Sequence, residues 1–70
     1  MKEFEWTFGS PNYIEVKRVN SVSCCAHFIY DDHLRVSILW TTESFTEREW
    51  DGVLACVRQA KMALKKLKRV

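Results

Sequence analysis

Seventy residues with 47% hydrophobic and 29% charged content make one small folded domain, too ordered in composition for a disordered chain and too short for several domains. No apolar run approaches the roughly 18 residues of a membrane span, and "MKEFEW" lacks the character of a signal peptide, so the expected setting is cytoplasm, nucleoid or nucleus rather than secretion. The net charge is only +2 but uneven: residues 1–52 carry nine acids and five bases, residues 53–70 six bases and no acid.

"KEFEWTF" alternates, placing Phe4, Trp6 and Phe8 on one face of a strand over about residues 2–8. Gly9-Ser10-Pro11-Asn12 is rich in turn formers. "YIEVKRV" resumes the rhythm as a strand over 13–19, with Ile14 and Val16 inward and Tyr13, Glu15 and Lys17 outward. Asn20-Ser21 reads as a second turn. "VSCCAHFIY" predicts a third strand over 22–30, with Val22, Cys24, Ala26, Phe28 and Tyr30 in one set and Ser23, Cys25, His27 and Ile29 in the other. Asp31-Asp32-His33 supplies the next turn. A fourth strand over 34–41 directs Leu34, Val36, Ile38 and Trp40 to the core and Arg35, Ser37 and Leu39 away from it. Four strands with short connections predict an antiparallel meander covered on one face.

The period then changes. Ser44-x-x-Glu47 and Thr46-x-x-Glu49 both fit a capping box, and Trp50, Val53, Leu54, Val57, Ala60, Leu64 and Leu67 form an apolar stripe at helical spacing. A helix over about 46–68 follows, giving an α+β fold of order ββββα in one domain, residues 1–70. Such a helix is roughly 34 Å long, whereas four strands span roughly 19 Å. The segment from Ala60 to Leu67 is therefore expected to overhang the sheet. A second copy is the economical cover, making Val57, Ala60, Leu64 and Leu67 the expected interface of a homodimer formed through the helix.

Three cysteines, two of them adjacent, form no disulfide framework and read as small apolar fillers. Neighbouring strand residues face opposite ways, so Cys24 and Cys25 cannot both join His27; two ligands at i and i+2 fall short of a zinc site, and no metal or other cofactor is expected. A Cys25–His27 nucleophile pair lacks an orienting group and an oxyanion donor. With Gly9 and Gly52 the only glycines there is no phosphate loop, and no enzyme activity is expected. The outward sheet face mixes Tyr13, Lys17, Arg18 or Val19, Cys25, His27, Ile29, Arg35 and Leu39. Cations among flat rings suit single-stranded nucleic acid, while an ordinary solvated face with cross-strand pairs accounts for the same composition. The basic C-terminal segment also has two readings: it complements the helix dipole, or it binds an anionic partner.

Trp6-Thr7-Phe8-Gly9 followed by Tyr13-Ile14-Glu15-Val16-Lys17, and Ser44-Phe45 with Trp50, resemble in order and spacing the positive cofactor four family of transcriptional coactivators and its bacterial and viral relatives. The resemblance spans residues 6 to about 65. It implies a homodimer that binds single-stranded or unwound DNA with little sequence preference, in transcription, replication or recombination, with proteins of those processes as further partners. Lys17 stands where the family has a DNA-contacting arginine and Val19 where it has a stacking phenylalanine. With one residue deleted after Ser21, His27 falls on a DNA-contacting arginine and Tyr30 on a stacking tryptophan. Ser10 and Asn12 replace basic residues of the family, and the lysines of its second turn are absent. The expected phosphate partners are thus Lys17, Arg18, Arg35 and the helix-end cations Lys61, Lys65, Lys66, Lys68 and Arg69, with Tyr13, Tyr30 and His27 stacking. The alternatives are a small protein-binding module or inhibitor without DNA binding, and membrane association through the basic helix, whose apolar face sheet and dimer packing explain better.

Overall fold

Alternation, turn chemistry and a capping box produce the expected element order. The computed structural model describes residues 3–67. Strands β1 (Phe4–Gly9), β2 (Tyr13–Arg18), β3 (Cys24–Tyr30) and β4 (Val36–Thr41) form one antiparallel sheet in the order β1-β2-β3-β4, followed by α1 (Glu47–Leu67). The first turn is tied to the end of β3, where Asn12 Nδ2 donates to the Tyr30 carbonyl at 2.7 Å. Asp31 builds the third turn by accepting from the backbone N–H of His33 and of Arg35, both at 2.9 Å. Those two N–H groups, Arg35 foremost, hold the Asp31 carboxyl below its ordinary value.

The helix start is doubly fixed. Thr46 Oγ1 accepts from the Glu49 N–H at 3.1 Å while Glu49 Oε1 accepts from the Thr46 N–H at 2.9 Å, a reciprocal capping box. Phe45, just before the cap, packs edge-on against Trp50 with centroids 5.1 Å apart, the accompanying hydrophobic staple.

Phe4, Ile14, Val16, Cys25, Ala26 and Phe28 pack beneath Val53, Cys56, Val57 and Ala60 of the helix. Two β-bulges change which side chains reach this core. Val16 pairs with Ala26 but Lys17 pairs with Cys24, leaving Cys25 as an extra residue that turns into the core. The alternation expected for β3 is therefore reversed here: Cys25 is buried and Cys24 lies on the open face. In the same way Phe28 pairs with Ile38 but His27 pairs with Trp40, so Leu39 is extra and Trp40 sits on His27's face, not the core face. Val22, expected inward, lies in the β2–β3 connection and is fully exposed, and Leu34 precedes β4 at a φ of 60°.

The expected overhang is also corrected. The helix keeps close to β1 and its turn: Gly52 abuts Phe4, and further along Trp6 Nε1 donates to Gln59 Oε1 at 3.1 Å. Because the helix follows the strand instead of crossing four of them, the chain's own fold covers Ala60 (0% exposed) and Leu64 (8%), leaving Leu67 (66%) outside. Leu54 drops out of the buried stripe and Cys56 enters it. The helix is neither long enough in apolar residues nor free enough of charge to cross a membrane, and no other described helix does so.

Candidate nucleic-acid interface

Pairing across the open face aligns Thr7, Glu15, His27 and Trp40 in one row over all four strands. His27 is its centre. The Trp40 ring stacks on the imidazole with centroids 4.4 Å apart and planes 29° from parallel, and Tyr13 meets it edge-on at 5.5 Å. His27 Nε2 lies 3.2 Å from Glu15 Oε2, while Nδ1 is buried without a hydrogen-bond partner among the described residues. Gly9 lies beside this pair, and a Cβ there would displace the Glu15 carboxylate from its present position. Trp40 remains 41% exposed, so one face of an indole already aligned by its neighbour is open to a flat ligand.

Charge on this face is nearly balanced. Lys17 reaches Glu5 at 3.5 Å and donates to the Ser21 carbonyl at 3.0 Å. Glu15 faces both His27 and Cys24, whose Sγ donates to Glu15 Oε1 at 3.5 Å. Burial, followed by that carboxylate, pushes the Cys24 thiol up; burial does the same to Cys25, which donates to the Val16 carbonyl from within the core. Neither is poised as a thiolate. Among the described residues no three His, Cys, Asp or Glu are placed to hold a metal.

Of the expected nucleic-acid contacts, Tyr13, Lys17 and His27 share the open face. The others are dispersed. Arg18 is opposite Phe4 on the helix side, where it lies over the Phe4 and Phe45 rings at 5.1 and 5.8 Å. Its Nη2 contacts Glu43 Oε1 at 2.5 Å and Glu49 Oε2 at 2.8 Å, and these carboxylates, Glu43 first, raise its proton affinity further. This cation anchors the helix start and is not free for a phosphate. Tyr30 is likewise on the helix face, edge-on to Phe8 at 6.4 Å and packed against the core, because it shares parity with Phe28. Val19 is half-buried beyond the end of β2, its N–H bonded to the Glu3 carbonyl. Arg35 sits in the β3–β4 turn, 77% exposed and 3.3 Å from Asp31. Lys65 and Lys66 are exposed in the last turn of α1, across the sheet from the aromatic row; Lys68 and Arg69 lie outside the described residues. Of the expected dimer residues, Val57, Ala60 and Leu64 are buried within the chain, and Leu67 is exposed at the helix end.

Alternation puts Glu15 on this face but misses Trp40, which it directs to the core. No glycine marks the bulge at Leu39, so the sequence carries no local sign that Trp40 changes sides. A separate cleft, lined by Glu3, Phe4, Arg48, Gly52, Cys56 and Gln59, lies between β1 and α1 and involves none of the row.

No protein-family model, curated protein or solved structure matches the chain. The functional reading therefore rests on the residues themselves.

Proposed function

We propose that the open sheet face is a platform of low sequence specificity for single-stranded or unwound DNA, serving transcription, replication or recombination. The observation that carries this reading is the exposed Trp40 ring held parallel to His27, with Tyr13 at the opposite edge. The near-parallel Trp40–His27 pair presents a flat surface on which an unstacked base can stack, and any base offers a π-face to it. Lys17 is the phosphate partner on this face, and Arg35 at the turn is the next cation along. Glu5 and Glu15 oppose a phosphate backbone, so affinity here comes from stacking more than from counterion release.

Titration of the chain with oligo-dT and with a duplex of equal length, at two salt concentrations, tests the reading. Preference for the single strand with a shallow salt dependence, lost in Trp40→Ala, is the expected result. Absence of binding, or equal binding of duplex, rejects it.

Glu5 and Glu15 favour one second reading. The same aromatic residues, sharing their face with two carboxylates, suit a basic protein segment, with Trp40 as the anchor of a small interface. On that reading the chain ignores oligo-dT, and Trp40→Ala abolishes capture of one basic partner.

A further inference from the structure

β4 is an edge strand without the usual protection of an edge. Among the described residues it pairs only with β3, and no other described strand lies beside the backbone N–H and C=O groups of its outer side. The stretch Val36–Thr42 contains no charge, proline or glycine, the features that ordinarily discourage edge pairing. Ile38 (52% exposed), Leu39 (48%) and Trp40 stand on it in succession: Ile38 is on the helix face but beyond the helix, which packs over β1 and β2, and Trp40 is on the open face. The other edge differs: β1 carries Glu5, follows Glu3 and lies against the helix.

We infer that β4 pairs antiparallel with β4 of a second copy of this chain, joining two sheets into one of eight strands. Charge supports a second copy as the occupant. The uncharged stretch is bounded by Arg35 at its start and Glu43 at its end. A two-fold axis through the middle of the strand brings the Arg35 end of each copy to the Glu43 end of the other, so the interface is self-complementary at both ends. Arg35 is exposed and pairs with Asp31 of its own turn, and Glu43 engages Arg18 through Oε1. Side-chain parity agrees. With the extra residue Leu39 counted, an axis between Leu39 and Trp40 sets Ile38 opposite Thr41, and both pair with core-face residues of β3, Phe28 and Ala26. A two-fold contact also closes on itself, whereas β4 pairing with a second copy's β1 would propagate as a filament. The axis is normal to the sheet, so both aromatic rows lie on the same side with their Trp40 residues nearest the axis. The pairing itself does not depend on the nucleic-acid reading.

Sedimentation equilibrium of the full chain tests it without any ligand. The wild type is expected to be a dimer, and Leu39→Lys, which sets two like charges near the axis, a monomer with unchanged far-ultraviolet circular dichroism. Arg35→Glu, altered at an exposed turn position where misfolding is not at issue, is expected to weaken dimerisation roughly tenfold through two like-charge contacts. Hydrogen exchange of the β4 amides in the wild type should slow as protein concentration rises. A wild type that is monomeric at every concentration overturns the inference and leaves the edge to a strand from another protein. A dimer that both variants leave intact, or β4 exchange independent of concentration, overturns it as well.

Discussion

Trp40 lies parallel to His27 because one extra residue in β4 rotates it onto the face opposite the core. The indole is thus pre-aligned, and a base stacking on its free side orders no further side chain. Truncation should remove about 1–3 kcal/mol of binding, roughly 5- to 150-fold in Kd. Trp40→Ala titrated with oligo-dT by fluorescence anisotropy checks this, with Trp40→Phe expected to retain most of the affinity. Wild-type affinity in the alanine variant would remove Trp40 from the site.

Arg18 gives the opposite expectation. Its guanidinium holds Glu43 and Glu49 and covers two phenylalanine rings, joining β2 to the start of α1. Arg18→Ala should lower Tm and leave oligo-dT affinity within about twofold, under 0.5 kcal/mol. Lys17→Ala should do the reverse, weakening DNA binding with little change in Tm. Measuring both quantities for both variants separates the roles; a large affinity loss in Arg18→Ala would contradict the assignment.

The meander, its turns and the capped helix were legible because each rests on local chemistry: alternation, Asp31 and Asn12 in turns, Thr46 with Glu49. The face of Trp40 and the exchange of Cys24 for Cys25 were not, since each depends on a bulge whose position is set by pairing with a neighbouring strand. Arg18 illustrates a different limit. A basic residue at a strand end reads as a surface cation until Glu43, 25 residues away, is seen to meet it. Leu64 shows a third: helix length was legible, but the helix's direction relative to β1 decides whether its apolar stripe overhangs. Residue types on the open face were also legible in part, for Tyr13, Lys17 and His27 do share it.

Acid should act on the helix cap. The Thr46 N–H, with Arg18 second, holds the Glu49 carboxyl below its ordinary 4.5. A depressed folded value means that the unfolded chain binds the proton more readily. The stabilisation is therefore complete above about pH 4.5 and is lost as pH falls through the lower folded value. Asp31, held down by the Arg35 and His33 N–H groups, adds a loss of the same sign below its ordinary 3.8. Glu49→Gln keeps an acceptor for Thr46 but cannot titrate, so its Tm should start lower at neutral pH and fall less steeply in acid. Thermal unfolding of both proteins between neutral pH and pH 2 measures the two slopes, and parallel curves would show that Glu49 is not linked to folding.

Gly52 sits inside a helix, where alanine is normally favoured by about 1 kcal/mol. Here a Cβ would lie 2.9 and 3.2 Å from two carbons of the Phe4 ring, a ring that is buried in the core and has little room to yield. Overpacking of this kind costs about 1–3 kcal/mol, which outweighs the propensity gain, so Gly52→Ala should destabilise the fold by up to roughly 2 kcal/mol. The cause can be isolated. Phe4→Leu alone should also destabilise, through lost packing and the lost contact with Arg18. Combined with Gly52→Ala, however, it removes the collision and allows the alanine to support the helix. Chemical denaturation of the two single variants and the double variant should therefore give a double variant more stable than the sum of the single losses, by about 1 kcal/mol or more. Strict additivity would mean that the glycine is not there to admit the ring.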